Sequence, residues 1–98
     1  MIYSTIAPCK KKKGFEGYPD EFYNVPLTSI KDNLLLELDS YQILRETKVC
    51  LILKEEDSGN KISIFPSLRV FIYGDVEENE ATSIFDKISK SVENIVSS

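Results

Sequence analysis

The residues with the most distinctive chemistry in this sequence are a cysteine and the run of lysines that follows it. Cys9 directly precedes four consecutive lysines, namely Lys10, Lys11, Lys12 and Lys13. Ammonium groups beside a thiol favour the thiolate, which is the reactive form of cysteine. The pattern therefore predicts a candidate reactive thiol at Cys9. The alternative is a solvated charge run beside an incidental cysteine, since no resolving cysteine or orienting base lies nearby.

The same lysines are a candidate basic patch, because they open a segment that is rich in aromatic residues. Within residues 8–26 the aromatic side chains are Phe15, Tyr18, Phe22 and Tyr23. Lysines neutralise phosphates and aromatic rings stack on unpaired bases, so the segment is a candidate nucleic-acid contact. Against this interpretation, the segment also contains acidic residues and the whole chain has a net charge of −4. The alternative is a charged loop that a few aromatic residues anchor to the core.

A third candidate is an aromatic surface on the last predicted strand. Alternation places Arg69, Phe71 and Tyr73 on the side of that strand opposite its predicted core residues, and Phe65 on the preceding strand is a candidate to join them. Exposed surfaces of this kind typically bind a partner. We therefore predict partner binding through these four residues. The sequence leaves open whether this face is exposed or covered by residues 8–26.

Catalytic and metal-binding chemistry finds little support. The chain has no histidine, which removes the commonest general base and imidazole metal ligands. Acidic residues cluster at 55–57 and 75–80, but these are a predicted hairpin tip and helix start, where acids are expected for solvation and for the helix dipole. Cys50 lies in an apolar run and is expected in the core. We predict no catalytic residue, no metal and no cofactor.

The elements that position these residues indicate one α+β domain over 1–98, a length that leaves no room for two domains. We predict an antiparallel sheet of about three to five strands with a long C-terminal helix on one face. The predicted elements, in order, are a short strand at 1–7, a long loop at 8–26, a helix or strand at 27–46, a three-strand meander at 47–74 and an amphipathic helix at 75–97.

Residues 47–97 give the strongest pattern. The apolar run 49–53, the Gly59-Asn60 pair and the Pro66-Ser67 pair indicate strands joined by a hairpin loop and a tight turn. Apolar residues then recur at three- and four-residue steps from Ala81 to Ile95, which is typical of a helix packed on a sheet. For residues 27–46 we favour a helix over about 28–38 and a turn at Asp39-Ser40.

The segment Ile64-Phe65-Pro66-Ser67-Leu68-Arg69-Val70-Phe71-Ile72-Tyr73-Gly74, with the acidic helix start that follows, resembles the end of one half-repeat of TATA-box-binding proteins. The resemblance implies a TBP-like curved sheet with helices on one face. This chain departs from the family where Leu68 replaces a turn glycine, and only Phe65 matches one of the two Phe wedges of each half. At most one half is present, so a saddle would require dimerisation.

The function that these patterns favour is a small non-enzymatic interaction or accessory module that binds a protein partner, or itself, through the aromatic sheet face. The alternatives are a nucleic-acid-binding protein that uses a TBP-like sheet plus Lys10–Lys13, and a thiol-based activity at Cys9. No signal peptide and no apolar run long enough to span a bilayer are visible, so we expect a cytoplasmic protein without membrane contact.

Overall fold

Six antiparallel strands form one sheet, and the helices lie on one of its two faces. The structure is a computed structural model that describes residues 1–10 and 13–96. The strands are β1 (Tyr3–Pro8), β2 (Gly14–Pro19), β3 (Tyr41–Glu46), β4 (Leu51–Glu55), β5 (Lys61–Ile64) and β6 (Val70–Tyr73). Their spatial order is β1-β2-β6-β5-β4-β3. The helices are a 3₁₀ turn at Leu27–Ser29, α1 (Lys31–Glu37) and α2 (Glu78–Val96).

The core lies between the sheet and α2, and it follows from the apolar periods of both. Every second residue of β5 and β6, such as Ile62 and Ile72, is fully buried beneath the helix. The apolar stripe of α2 supplies Phe85, Ile88 and Val92, which are also fully buried. Burying a side chain of this size contributes about 1.5–3 kcal/mol, so this stripe is a major source of stability. The predicted meander and C-terminal helix are confirmed.

Strand β2 corrects the prediction of a long loop over residues 8–26 and raises the strand count above the expected three to five. Gly14–Pro19 pairs with β1 on one side and with β6 on the other. Two glycines and a proline disfavour a strand by local propensity, but hydrogen bonds to two neighbouring strands outweigh that preference. A Cβ at Gly17 would lie 2.3 Å from Cε1 of Phe85, so the glycine allows β2 to approach α2 closely.

Residues 27–46, for which the sequence predicted a helix or a strand, contain one of each. Helix α1 runs from Lys31 to Glu37, and β3 begins after a short turn at Asp39-Ser40. Leu34 and Leu38 are buried on the inner side of this segment, as the helical spacing predicts. An ion pair of 3.2 Å between Lys31 Nζ and Glu46 Oε2 connects α1 with the end of β3.

The turn between β5 and β6 is tight, as predicted, and Leu68 has an unusual conformation in it. Its N–H donates to the carbonyl of Phe65 at 2.8 Å, and its φ is 66°, in the left-handed region that costs a non-glycine residue about 1 kcal/mol or more. The Leu68 side chain is fully buried, and its carbonyl accepts a 2.7 Å hydrogen bond from the Tyr3 hydroxyl. Burial and this hydrogen bond hold the turn in place at the base of β6.

Within residues 1–10 and 13–96, none of the helices has the length and apolar character needed to cross a membrane.

Candidate binding face of the sheet

The candidate site is the outer face, which we define as the surface of the sheet opposite α1 and α2. Residues paired across antiparallel strands share a face, so the register identifies its members. One row crosses all six strands, in the order Ala7, Glu16, Phe71, Ser63, Ile52 and Arg45. A second row contains Tyr73, Lys61, Lys54 and Gln42. Strands β1 and β2 extend the sheet sideways, so they do not lie over this face.

Three of the predicted aromatic residues come together at the centre of the outer face. The Phe65 ring packs edge-on against Phe71 with centroids 5.8 Å apart, and the Phe71 and Tyr73 rings are nearly parallel at 6.0 Å. All three side chains are half-buried, and no helix in the described part of the chain covers them. Burial raises the pKa of Tyr73, with smaller contributions from Cys9, Cys50 and Glu16, so its hydroxyl stays neutral well above pH 7.

Arg69 contacts Phe71 and also Tyr18, a residue that the sequence did not assign to the aromatic surface. Its guanidinium carbon lies 4.8 Å from the centroid of the Tyr18 ring and 5.4 Å from that of Phe71. Its Nη2 also donates to the Tyr18 hydroxyl at 3.4 Å. Contacts of this type contribute about 0.5–1 kcal/mol each at exposed sites. We call Tyr18, Phe65, Arg69, Phe71 and Tyr73 the aromatic cluster.

Positive charge dominates the two cross-strand rows. They contain Arg45, Lys54 and Lys61, all exposed, against a single carboxylate, Glu16. Lys54 and Lys61 lie directly opposite each other on neighbouring strands, which is an unfavourable arrangement for like charges. The ion pairs seen in the described residues, Lys31–Glu46 and Asp86–Lys90, involve neither lysine.

Loop carboxylates also lie near these cations. Glu56 lines a shallow depression of about 220 Å³ together with Lys54 and three residues of β3. Asp57 lies in the loop of the β4–β5 hairpin, next to the Lys54–Lys61 pair, and Asp75 lines a depression together with Lys10 and Lys13. The two cross-strand rows are therefore positive although the chain as a whole has a net charge of −4.

Two residues of the predicted basic patch, Lys10 and Lys13, lie between β1 and β2, at one end of the sheet. Lys10 and Lys13 are exposed, whereas Lys11 and Lys12 lie outside the described residues. The N–H of Gly74 donates to the carbonyl of Lys13 at 3.0 Å, so this hairpin lies directly beyond Tyr73. The basic hairpin therefore adjoins the row of the outer face that contains Lys54 and Lys61.

The two cysteines are both free and half-buried. Cys9 lines a depression of about 500 Å³ with Lys10 and Lys13, so the structure keeps the thiol beside lysines. The prediction that Cys50 is a core residue is wrong, because Cys50 lies just before β4 in a turn closed by Thr47 and next to the uncovered outer face. Partial burial raises the pKa of the Cys50 thiol, and the nearby Arg45 acts in the opposite direction.

The acidic cluster at the β4–β5 hairpin has a structural role in the fold. Glu55 accepts hydrogen bonds from the Ser58 hydroxyl at 2.6 Å and from the Ser40 hydroxyl at 2.8 Å. These hydrogen bonds lower the pKa of its carboxyl group. Across residues 1–10 and 13–96, no three Cys, Asp or Glu side chains are grouped so that they could hold a metal ion.

Comparison with protein-family models, with curated proteins and with solved structures finds no match for this chain. What the outer face binds is therefore inferred from its own side chains.

Proposed function

We propose that this chain is a non-enzymatic binding module that docks an acidic partner on its outer face. The observation that carries this proposal is the aromatic cluster at the centre of a sheet face that no helix of the described residues covers, with Arg45, Lys54 and Lys61 beside it. Aromatic residues and arginine are the side chains most enriched at the energetic centres of interfaces. Exposed cations around them attract a partner of negative charge.

The positive charge of the two cross-strand rows also disfavours self-association, in which a second copy of the chain would dock on the outer face. Two copies docked face to face would bring two sets of Arg45, Lys54 and Lys61 into one interface. Juxtaposed like charges disfavour such a complex. An acidic segment of another protein, or a nucleic acid, avoids this repulsion, so the proposal favours these over self-association through the face.

A TBP-like arrangement is part of the proposal. It is supported by helices on one side of an antiparallel sheet and by the tight turn at Pro66-Ser67 before β6. A single half that formed a saddle would do so as a dimer joined through a sheet edge, leaving both outer faces accessible. Sedimentation equilibrium decides this point, because a monomer at every protein concentration would exclude a saddle of two copies.

Retention on a cation-exchange resin tests the binding of acidic partners without assuming their class. A chain with net charge −4 is repelled by an anionic matrix unless a local positive patch holds it. We expect the protein to be retained at low salt and released as salt increases. The variant Lys54→Gln/Lys61→Gln should elute clearly earlier than the wild type.

The matched control is Lys87→Gln/Lys90→Gln, which removes the same charge from α2 on the other side of the sheet. This control should elute close to the wild type after correction for net charge, which both double variants change equally. Absence of retention, or equal losses in the two double variants, would contradict docking on the outer face.

A further inference from the structure

We infer that the acidic partner is a single-stranded nucleic acid, whose bases stack on the aromatic cluster while its phosphates lie along Lys54 and Lys61. This inference rests on the proposed function and names the partner of the same face.

The aromatic cluster is suited to unpaired bases. Phe71 lies at its centre, in contact with Phe65, Arg69 and Tyr73, and all of the rings involved are half-buried rather than enclosed. Every base has a planar π-face, and stacking on an aromatic side chain stabilises binding without requiring a particular sequence. The guanidinium plane of Arg69 offers a further stacking surface of the same kind.

The lysines provide a path for the backbone beside these rings. The paired positions Lys54, Lys61 and Tyr73 follow one another across three neighbouring strands, at a spacing of about 4.8 Å from strand to strand. Beyond Tyr73 the row reaches Gly14, the residue after Lys13. A nucleic-acid strand that crosses the sheet in this direction therefore meets cations on both sides of the Tyr73 ring.

The Lys54–Lys61 pair itself indicates an anionic ligand. Two ammonium groups on directly opposed positions of neighbouring strands repel each other, and neither forms an ion pair with a described residue. A phosphate between them would convert this repulsion into attraction. An acidic peptide could do the same with a carboxylate. Polyglutamate has no rings that could stack on the aromatic cluster, so comparing it with an oligonucleotide separates the two classes of partner.

The experiment measures the anisotropy of a short fluorescent oligothymidylate as protein is added at low salt. An abasic strand of the same length, a duplex and a polyglutamate peptide are the comparison ligands. We expect the oligothymidylate to bind best, because a duplex keeps its base faces stacked internally and the abasic strand has none. Phe71→Leu should weaken oligothymidylate binding by about 5- to 150-fold, the range seen when a stacking ring is removed.

Salt dependence tests the phosphate contacts separately. If Lys13, Lys54 and Lys61 each neutralise one phosphate, the logarithm of affinity should fall with a slope of about −2, at about −0.7 per phosphate. Affinity would then drop about 18-fold between about 50 and 200 mM salt. Lys54→Gln/Lys61→Gln should reduce the magnitude of this slope by about 1.4, whereas Lys87→Gln/Lys90→Gln should leave it unchanged.

The control for Phe71→Leu is Leu36→Ala, which removes an exposed apolar side chain from α1, on the other side of the sheet. It should bind oligothymidylate as the wild type does, and circular dichroism of both variants checks that they are folded. Equal binding of abasic strand and oligothymidylate, or no effect of Phe71→Leu, would overturn base stacking.

Failure of this inference is distinguishable from failure of the proposed function. If polyglutamate binds and oligothymidylate does not, the acidic partner is a protein segment and the outer face remains its docking site. If neither ligand binds at low salt and the anionic resin does not retain the protein, the outer face does not bind acidic partners at all.

Discussion

The contact between Gly17 and Phe85 gives a sharp test of how β2 is held in the sheet. Gly17 is fully buried on the helix side of β2, and a Cβ added to it would lie 2.3, 2.6 and 2.9 Å from three carbon atoms of the Phe85 ring. Phe85 is fully buried and packs against the Tyr3 ring, with centroids 5.0 Å apart. The ring therefore has little freedom to move away from an added methyl group.

We expect Gly17→Ala to destabilise the fold by about 1–3 kcal/mol, the usual cost of overpacking a core. For a domain of this size, 2 kcal/mol corresponds to a decrease in Tm of about 8–16 °C. The sign of the effect is informative. The φ of Gly17 lies outside the left-handed region, so without the clash alanine would stabilise the protein by about 0.4–1 kcal/mol through the unfolded chain.

A double-mutant cycle measures the coupling between Gly17 and Phe85. It compares the free energies of unfolding in urea of the wild type, Gly17→Ala, Phe85→Leu and the double variant. Leucine in place of Phe85 leaves room for the new methyl group, so Gly17→Ala should cost much less in that background. The coupling energy should reach at least about 0.5 kcal/mol, as is usual for residues in contact. A stabilised Gly17→Ala variant, or effects that add within about 0.3 kcal/mol, would refute this account of β2.

Two further predictions concern titration and thiol reactivity. Burial, with smaller effects of Glu55 and Glu80, raises the pKa of Tyr41 to about 12. Because the folded state then holds this proton more tightly than the unfolded state, the free energy of unfolding should fall by up to about 1.4 kcal/mol per pH unit between about pH 10 and 12. Tyr41→Phe should make the fall of the urea midpoint across this range shallower, the remaining slope coming from other tyrosines with a raised pKa, such as the buried Tyr3. An unchanged slope would contradict the assignment. For the cysteines, burial raises the pKa of the Cys50 thiol, so in Cys9→Ser a thiol probe should modify Cys50 several-fold more slowly than after unfolding in urea. At neutral pH, Cys9 in the Cys50→Ser variant should react with the probe faster than Cys50 does in the Cys9→Ser variant. Equally slow reaction of the two thiols would remove the hypothesis of a thiol-based activity at Cys9.

Several features of the fold followed from the sequence because they depend only on local period and turn chemistry. The apolar stripe of α2 and the strands of the meander were predicted from spacing alone, and the structure confirms them. Alternation along β6 also placed Phe71 and Tyr73 opposite the buried Val70 and Ile72. A period of two fixes which residues share a face, whatever lies above that face.

Contacts between strands of the outer face could not be predicted from local sequence patterns. The sequence identified Phe65, Arg69, Phe71 and Tyr73 as neighbours, but it did not include Tyr18, which contacts Arg69 from 51 residues away. It also did not reveal that Lys54 and Lys61 face each other, since a pairing between strands depends on the register of the whole sheet. Their binding role remains a prediction.

Only the tertiary structure decided what covers each face of the sheet. Residues 14–19 have poor strand propensity, yet they pair between β1 and β6 because that position satisfies their backbone groups and lets Gly17 lie against Phe85. The apolar run 49–53 indicated a core position for Cys50, but the helices cover only one side of the sheet, which leaves Cys50 half-buried. The lysine run and the thiol at Cys9 were visible in the sequence from the start. The position of Cys9 and Lys13 near Tyr73, at the end of the outer face, follows from non-local strand pairing that no local pattern encodes.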